Sequence, residues 1–482
     1  MTKYPQVTRA AQQPRKRTAP PGKRATPPAG TRVVTSVGAR GAALANTRGL
    51  DYPLIAILAT MLALGLVMVY SASFIQAGAT FFLRQLLWVA LSIGILLITI
   101  NVPYRFWQQM AIPIMLIALV LLVAVLIFGD EVNYAQRTLF NGRVQPSEIA
   151  KLAVVIYVAA WVASRGKQLA DVEGGLIPFA ILMGLVAALL VMEPSFSVAI
   201  ITLTIGVSIF FMGGGDIKQL LIVGAIGSVV LLLLLWQSDY GFARIRDWWR
   251  ALSDPTHASY DITTSMRMLN RGFRISFGTD PSEWMDKWAI PLLWSDYLFL
   301  NIGHDLGFIG TIAVVGLFAA FGYRSLGIAL NAPDQFSGLT AIGITTWILA
   351  QAVVHISTSL ALIPATGQPL PFMSYGGSSM VSSMAAIGLL LSISRASSER
   401  KAPYAHFAFG WGNRGSRLPD SGRSQRPETN GPAKRKSAGG RGQESGVRGQ
   451  RAGGKGQETA ARRQARKPRG RTNKASRNTG GR

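Results

Sequence analysis

Cysteine is absent from this chain of 482 residues, which excludes a disulfide framework and any thiolate metal site. Histidine is scarce: His257, His304, His355 and His406 stand too far apart for their spacing to indicate a metal cluster. Acids are also few, 23 Asp and Glu against 49 Lys and Arg, for a formal net charge of +26. None precedes Asp51. The chain shows no repeat period, no heptad seam and no nucleotide-binding glycine fingerprint. Without a Ser-His-Asp order or a metal-ligand motif, hydrolase and metalloprotease readings have no support. A cleavable signal is not expected either, because residues 1–50 are polar and basic ahead of the first apolar run.

What the chain does have is long apolar runs: 49% of its residues are hydrophobic, and mean hydropathy is +0.29 despite the charge. One soluble domain would not combine these figures. Runs at membrane-crossing length cover 53–71, 82–100, 110–128, 149–164, 176–192, 196–212, 220–236, 297–323, 339–363 and 375–394. The expectation is an all-α polytopic membrane protein of about ten transmembrane helices, occupying residues 51–395. Residues 1–50 and 396–482 read as disordered basic arms, being rich in Lys, Arg, Gly, Ser and Pro and unable to form a core. The glycine-arginine dipeptides of the second arm resemble nucleic-acid-binding tails. Contact with anionic lipid is the favoured reading for a basic segment beside a membrane span.

Lys and Arg in short loops set orientation. Arg105, Arg165, Lys167, Lys218 and Arg324 all fall on the side of the two basic arms, which is therefore expected to be the cytoplasm. The other side receives 129–147, the turn at Pro194, the long loop 237–295 and the loop 364–374. In the long loop, Phe242, Ile245, Trp248 and Leu252 recur at helical spacing between charges, the pattern of a helix lying in the interface.

Four clusters with chemistry meet on that outer side. Glu148 and Lys151, at i and i+3, share a helix face; they either stabilise the bundle as an ion pair or present Lys151 to an anionic substrate. Arg137 stands in the preceding loop with the donor fork that grips phosphate. The run 364–379 places three prolines within eight residues, which forbids a continuous helix. Ser374 reads as the N-cap of the last span, and Gly376 and Gly377 leave amides approachable at its N-terminus. The fourth cluster is Asp296, at the mouth of a span, with Asp305 nine positions on. Asp at the centre of a spanning helix costs about 2.5–3.5 kcal/mol, less near an interface, so an acid kept here needs a partner, a wet cavity or a role. One acid among cations is sufficient to accept a proton from a hydroxyl while the cations hold an anionic leaving group.

The segments 145–152 (QPSEIAKL), 296–310 (DYLFLNIGHDLGFIG), 335–347 (QFSGLTAIGITTW) and 364–379 (PATGQPLPFMSYGGSS) resemble the SEDS family, the FtsW/RodA polytopic proteins of bacterial cell-wall synthesis. The resemblance spans about residues 51–395 and leans towards the FtsW-like, division-type member rather than the elongation type. It implies peptidoglycan glycosyltransferase activity on lipid II, the undecaprenyl-diphosphate-linked disaccharide peptide, at the outer face of the bacterial cytoplasmic membrane. A class B penicillin-binding protein and other division or elongation proteins are the implied partners. Asp296 is then the catalytic carboxylate, acting as general base or as ligand to a divalent ion such as magnesium or manganese. The residues assigned to substrate are Arg137, Glu148, Lys151, Lys287, Ser374, Gly376 and Gly377. A flippase for the lipid-linked precursor and a non-catalytic scaffold for a transpeptidase are the competing functions. The chain departs from the family pattern at Tyr134, at Thr138, at 194–197 (PSFS), at 268–278 (MLNRGFRISFG), and at His304 and His355.

Overall fold

The computed structural model describes residues 50–132, 135–139, 142, 144–237, 239–253, 290 and 292–399. Residues 1–49 and 400–482 of the basic arms, Tyr134, residues 268–278 and Lys287 lie outside the described residues; 396–399, assigned to the second arm, instead continue the last helix.

The chain runs through α1 (Tyr52–Ala77), α2 (Thr80–Asn101), the short α3 (Tyr104–Gln109) and α4 (Ala111–Phe128). A small antiparallel ladder, β1 (Asp130–Val132) with β2 (Ala135–Thr138), follows. Then come α5 (Pro146–Arg165), α6 (Ile177–Met192), α7 (Phe196–Met212), α8 (Ile217–Gln237) and α9 (Asp239–Ser253). The described chain closes with α10 (Leu298–Leu330), α11 (Gln335–Ser359) and α12 (Gly377–Glu399). Among the described residues, nine helices are long and apolar enough to cross a membrane, and α7 is a shorter apolar one. These ten correspond one to one with the ten apolar runs.

The boundaries move where local chemistry overrides hydropathy. α11 begins at Gln335, ahead of its apolar run, because Asp334 and Ser337 form a reciprocal capping box. α10 continues past Tyr323 to Leu330. Arg324 does not end it, since its guanidinium pairs with Asp51 at 2.7 Å. α10 also bends at Gly307, whose φ of 65° only glycine adopts without strain.

Helices α5, α11 and α12 carry the most buried faces and form the inside of the bundle. α8 lies at the periphery, with Leu221, Ile222, Ile226 and Leu233 exposed, as suits a helix whose solvent is lipid. α9 is a helix where the spacing anticipated one. Trp248 Nε1 donates to the Ala361 carbonyl at 2.8 Å and Arg244 to that of Ala365 at 2.9 Å, which ties α9 to the proline-rich loop.

Candidate active site

At the hairpin end of the bundle, a cavity of about 920 Å³ opens between α2, the turn before α10 and the start of α12. Arg84, Trp88, Gln145, Asp296, Gly367 and Gly377 are among its walls. Asp296 sits on a turn one residue before the α10 cap, its amide bonded to the Leu292 carbonyl at 2.9 Å. Tyr375 N–H reaches the Trp294 carbonyl at 3.0 Å, and the Phe81 ring lies 4.6 Å from that of Trp294. The acid-bearing turn is thereby fixed to both α2 and the entry of α12.

Ser295 Oγ donates to Asp296 Oδ1 at 3.0 Å. Loss of water around the carboxyl raises its pKa above the usual carboxylate range; the Ser295 hydrogen bond, Arg244 and Arg137 pull the other way. Opposite stands Gly367, at φ +65°, where an added Cβ would lie 3.7 Å from Asp296 Oδ2. Glycine is needed there for its backbone conformation, and it brings the proline-rich loop against the acid.

A second cavity of about 280 Å³ shares Gln145 and Gly367 with the first and has Arg137 and Arg244 in its wall. Arg137, on β2, donates to the carbonyls of Glu193 and Pro194, which ties the strand to the turn between α6 and α7. The Glu193 carboxyl is fully buried, with no hydrogen-bond partner among the described residues. Burial pushes its pKa up to about 8, against the pull of Arg137, so it is largely protonated at neutral pH.

Gly376 and Gly377 line the large cavity. A Cβ on Gly377 would stand 2.4 Å from the Trp88 ring, so close packing demands glycine. Three assignments change. Ser374 is not the cap of α12. Its Oγ accepts from Leu370 N–H at 2.9 Å and closes the preceding turn, while Gly376 offers the carbonyl on which α12 starts. Glu148 and Lys151 do not line either cavity. Lys151 Nζ is fully buried, 2.7 Å from Glu148 Oε1 and 2.8 Å from Gln351 Oε1, and it lies 5.2 Å from the Trp347 ring centre. The pair is therefore an internal brace of α5 against α11. Arg84, which sequence reasoning passed over, stands in the cavity wall. Its one sequence signal is a cation at the start of an otherwise apolar run.

Among the described residues no three His, Asp or Glu side chains converge as a metal site. A divalent ion at Asp296 would thus have few protein ligands from these residues and would need substrate oxygens or water to complete its shell.

Residues 52–399 match the model of the family described as "Cell cycle protein", FtsW/RodA/SpoVE. The chain is 31% identical over 357 residues to a protein of Trichlorobacter lovleyi named "Probable peptidoglycan glycosyltransferase FtsW", covering 71% of this chain and 93% of that one. It is 31% identical over 358 residues to the stage V sporulation protein E of Bacillus subtilis, covering 72% and 97%. Among solved structures, it is similar to the Thermus thermophilus rod shape determining protein RodA, with a TM-score of 0.56 and 25% identity over 72% of this chain and 97% of that one. A chain from a peptidoglycan synthase complex that coordinates polymerization and crosslinking superposes with a TM-score of 0.61 at 25% identity, over 72% and 98%.

Proposed function

Since the chain belongs to the FtsW/RodA/SpoVE family of cell cycle proteins, we propose that it is a peptidoglycan glycosyltransferase that polymerises lipid II into glycan strands. The observation that carries this reading is Asp296, the single carboxylate among the described residues in the wall of a cavity of about 920 Å³ that also holds Arg84 and the glycine amides at the start of α12. Glycan extension requires a sugar hydroxyl to attack an anomeric carbon. The new C–O bond forms as the bond to the lipid diphosphate breaks, and the diphosphate leaves with that electron pair. The hydroxyl proton passes to Asp296. Charge building on the diphosphate is offset by Arg84, with Arg137 and Arg244 contributing field from the adjoining cavity. Burial keeps the Asp296 carboxylate more basic than an exposed one, which favours proton uptake.

The test is purified protein with lipid II and no other synthase. Glycan polymer is the expected product. Labelled lipid crossing the bilayer without polymer would make the chain a transporter, and neither outcome would make it a scaffold.

The site faces outward, and both basic arms lie in the cytoplasm near anionic lipid, where each Lys or Arg near the surface adds about 1 kcal/mol. A class B penicillin-binding protein is the partner, in keeping with the similarity to a chain of a synthase complex. The division role draws on the FtsW names of the relatives. One experiment tests side and role together, using a fluorescent protein that matures only in the cytoplasm. Fused after Arg482 it is expected to glow at septa, and inserted at Ser259 it is expected to stay dark. Lateral-wall patches would reassign the role to elongation, and equal signals from the two fusions would overturn the topology.

A further inference from the structure

His355 stands on α11, fully buried, with no part in the cavity wall. Both its ring nitrogens are nevertheless committed. Nε2 lies 3.3 Å from the amide nitrogen of Phe299, and Nδ1 lies 2.7 Å from the carbonyl oxygen of Gln368. Phe299 can only donate through its backbone, so Nε2 is the acceptor and carries no proton. Nδ1 then bears the hydrogen and donates it to Gln368. The imidazole is held neutral, in one tautomer, by partners on two different segments.

Those two segments make the opposing walls at the catalytic acid. Phe299 is in the first turn of α10, where backbone amides lack intrahelical partners, and it follows Asp296 by three positions. Gln368 adjoins Gly367, the residue whose backbone closes against Asp296 Oδ2. One turn earlier on α11, Gln351 Nε2 donates to the Pro369 carbonyl at 2.9 Å. One turn after His355, Thr358 Oγ1 lies 2.9 Å from Thr366 Oγ1. The loop is thus pinned to α11 at three successive turns; among these three, the His355 pin also grips the first turn of α10, next to the acid.

We propose that His355 is a positioning residue. It bridges the first turn of α10 to the loop at Gly367–Gln368 and thereby sets the distance between the Asp296 carboxylate and the wall it faces. The consequence for rate rests on Asp296 being the proton acceptor; the tether itself does not. A side chain suited to this task needs one donor and one acceptor on a rigid planar group. An amide meets that requirement, and a hydrocarbon ring of the same bulk does not.

The experiment compares wild type, His355→Phe and His355→Asn as purified full-length protein, by two readouts. Hydrogen exchange followed by mass spectrometry reports the peptides spanning 296–301 and 364–370. Steady-state polymerisation of lipid II reports kcat and KM separately. In His355→Phe, exchange is expected to rise in both peptides and kcat to fall about 10–10²-fold with KM unchanged, the usual result of a misplacement near 1 Å. His355→Asn is expected to restore both. If His355→Phe does not fold, His355→Ala is read in its place. Unchanged exchange in the apolar variant overturns the tether. Raised exchange with unchanged kcat, or a loss confined to KM, overturns the positioning role. Absence of polymer from wild type would overturn the polymerase reading instead, and the exchange arm would still decide the tether.

Discussion

Asp296→Asn is expected to lower lipid II polymerisation by about 10²–10⁴-fold, the usual contribution of a positioned base, while membrane insertion and partner binding persist. The amide keeps the shape of the carboxyl and its contact with Ser295 Oγ, 3.0 Å away, but it takes up no proton. The pH profile of the wild type carries the same assignment. A base works when deprotonated, so activity should rise with pH through the Asp296 pKa. Burial places that pKa above the ordinary carboxylate range, and the acid limb should therefore lie higher than for an exposed aspartate. In Asp296→Asn the residual activity should show no such limb. Normal polymer yield from a well-folded Asp296→Asn protein would remove Asp296 from the chemistry. Unchanged yield with a shifted acid limb would leave it a neighbour of the true base.

Lys151→Met should be the most damaging change to stability. Its ammonium is the buried counter-charge of Glu148, whose second oxygen, Oε2, has no hydrogen-bond partner among the described residues. Removing one member of a buried pair leaves an uncompensated charge and costs about 3–5 kcal/mol. The thermal midpoint of the detergent-purified protein should fall on the order of 10 °C. The double change Glu148→Gln with Lys151→Met removes both charges at similar volume and should recover most of that loss, since buried pairs are often replaceable as a unit. A Lys151→Met protein with unaltered melting but no polymerase activity would contradict the internal brace and return Lys151 to the substrate.

Hydropathy alone located the ten helices because the bilayer core has a thickness near 30 Å, and any chain crossing it must satisfy its own backbone within about twenty residues. That requirement acts on each segment separately, so it leaves a local mark. Asp296 was legible for a related reason: a carboxylate at the mouth of an apolar run is costly wherever it occurs, and cost singles it out before any neighbour is known. The glycines at 376 and 377 were legible through the prolines before them, although the Trp88 ring that makes a Cβ impossible at Gly377 was not.

What the tertiary structure decided is which costly groups find one another. Glu148 and Lys151 are three positions apart and visible as a pair. Gln351, which completes their network, lies 200 positions from Lys151, and only its arrival shows that the ammonium is sealed in rather than presented to the cavity. Arg84 reads as one cation in a hydrophobic run until α12 packs against α2 and places it in the wall of the same cavity as Asp296. His355 reads as an unexpected residue in a span until the ends of its ring reach Phe299, 56 positions away, and Gln368, 13 away. Sequence periodicity reports which residues share a helix face; it carries no term for contacts between faces of different helices. Burial by lipid determined the helices one at a time, whereas hydrogen bonding among charges and carbonyls from separate helices determined the site.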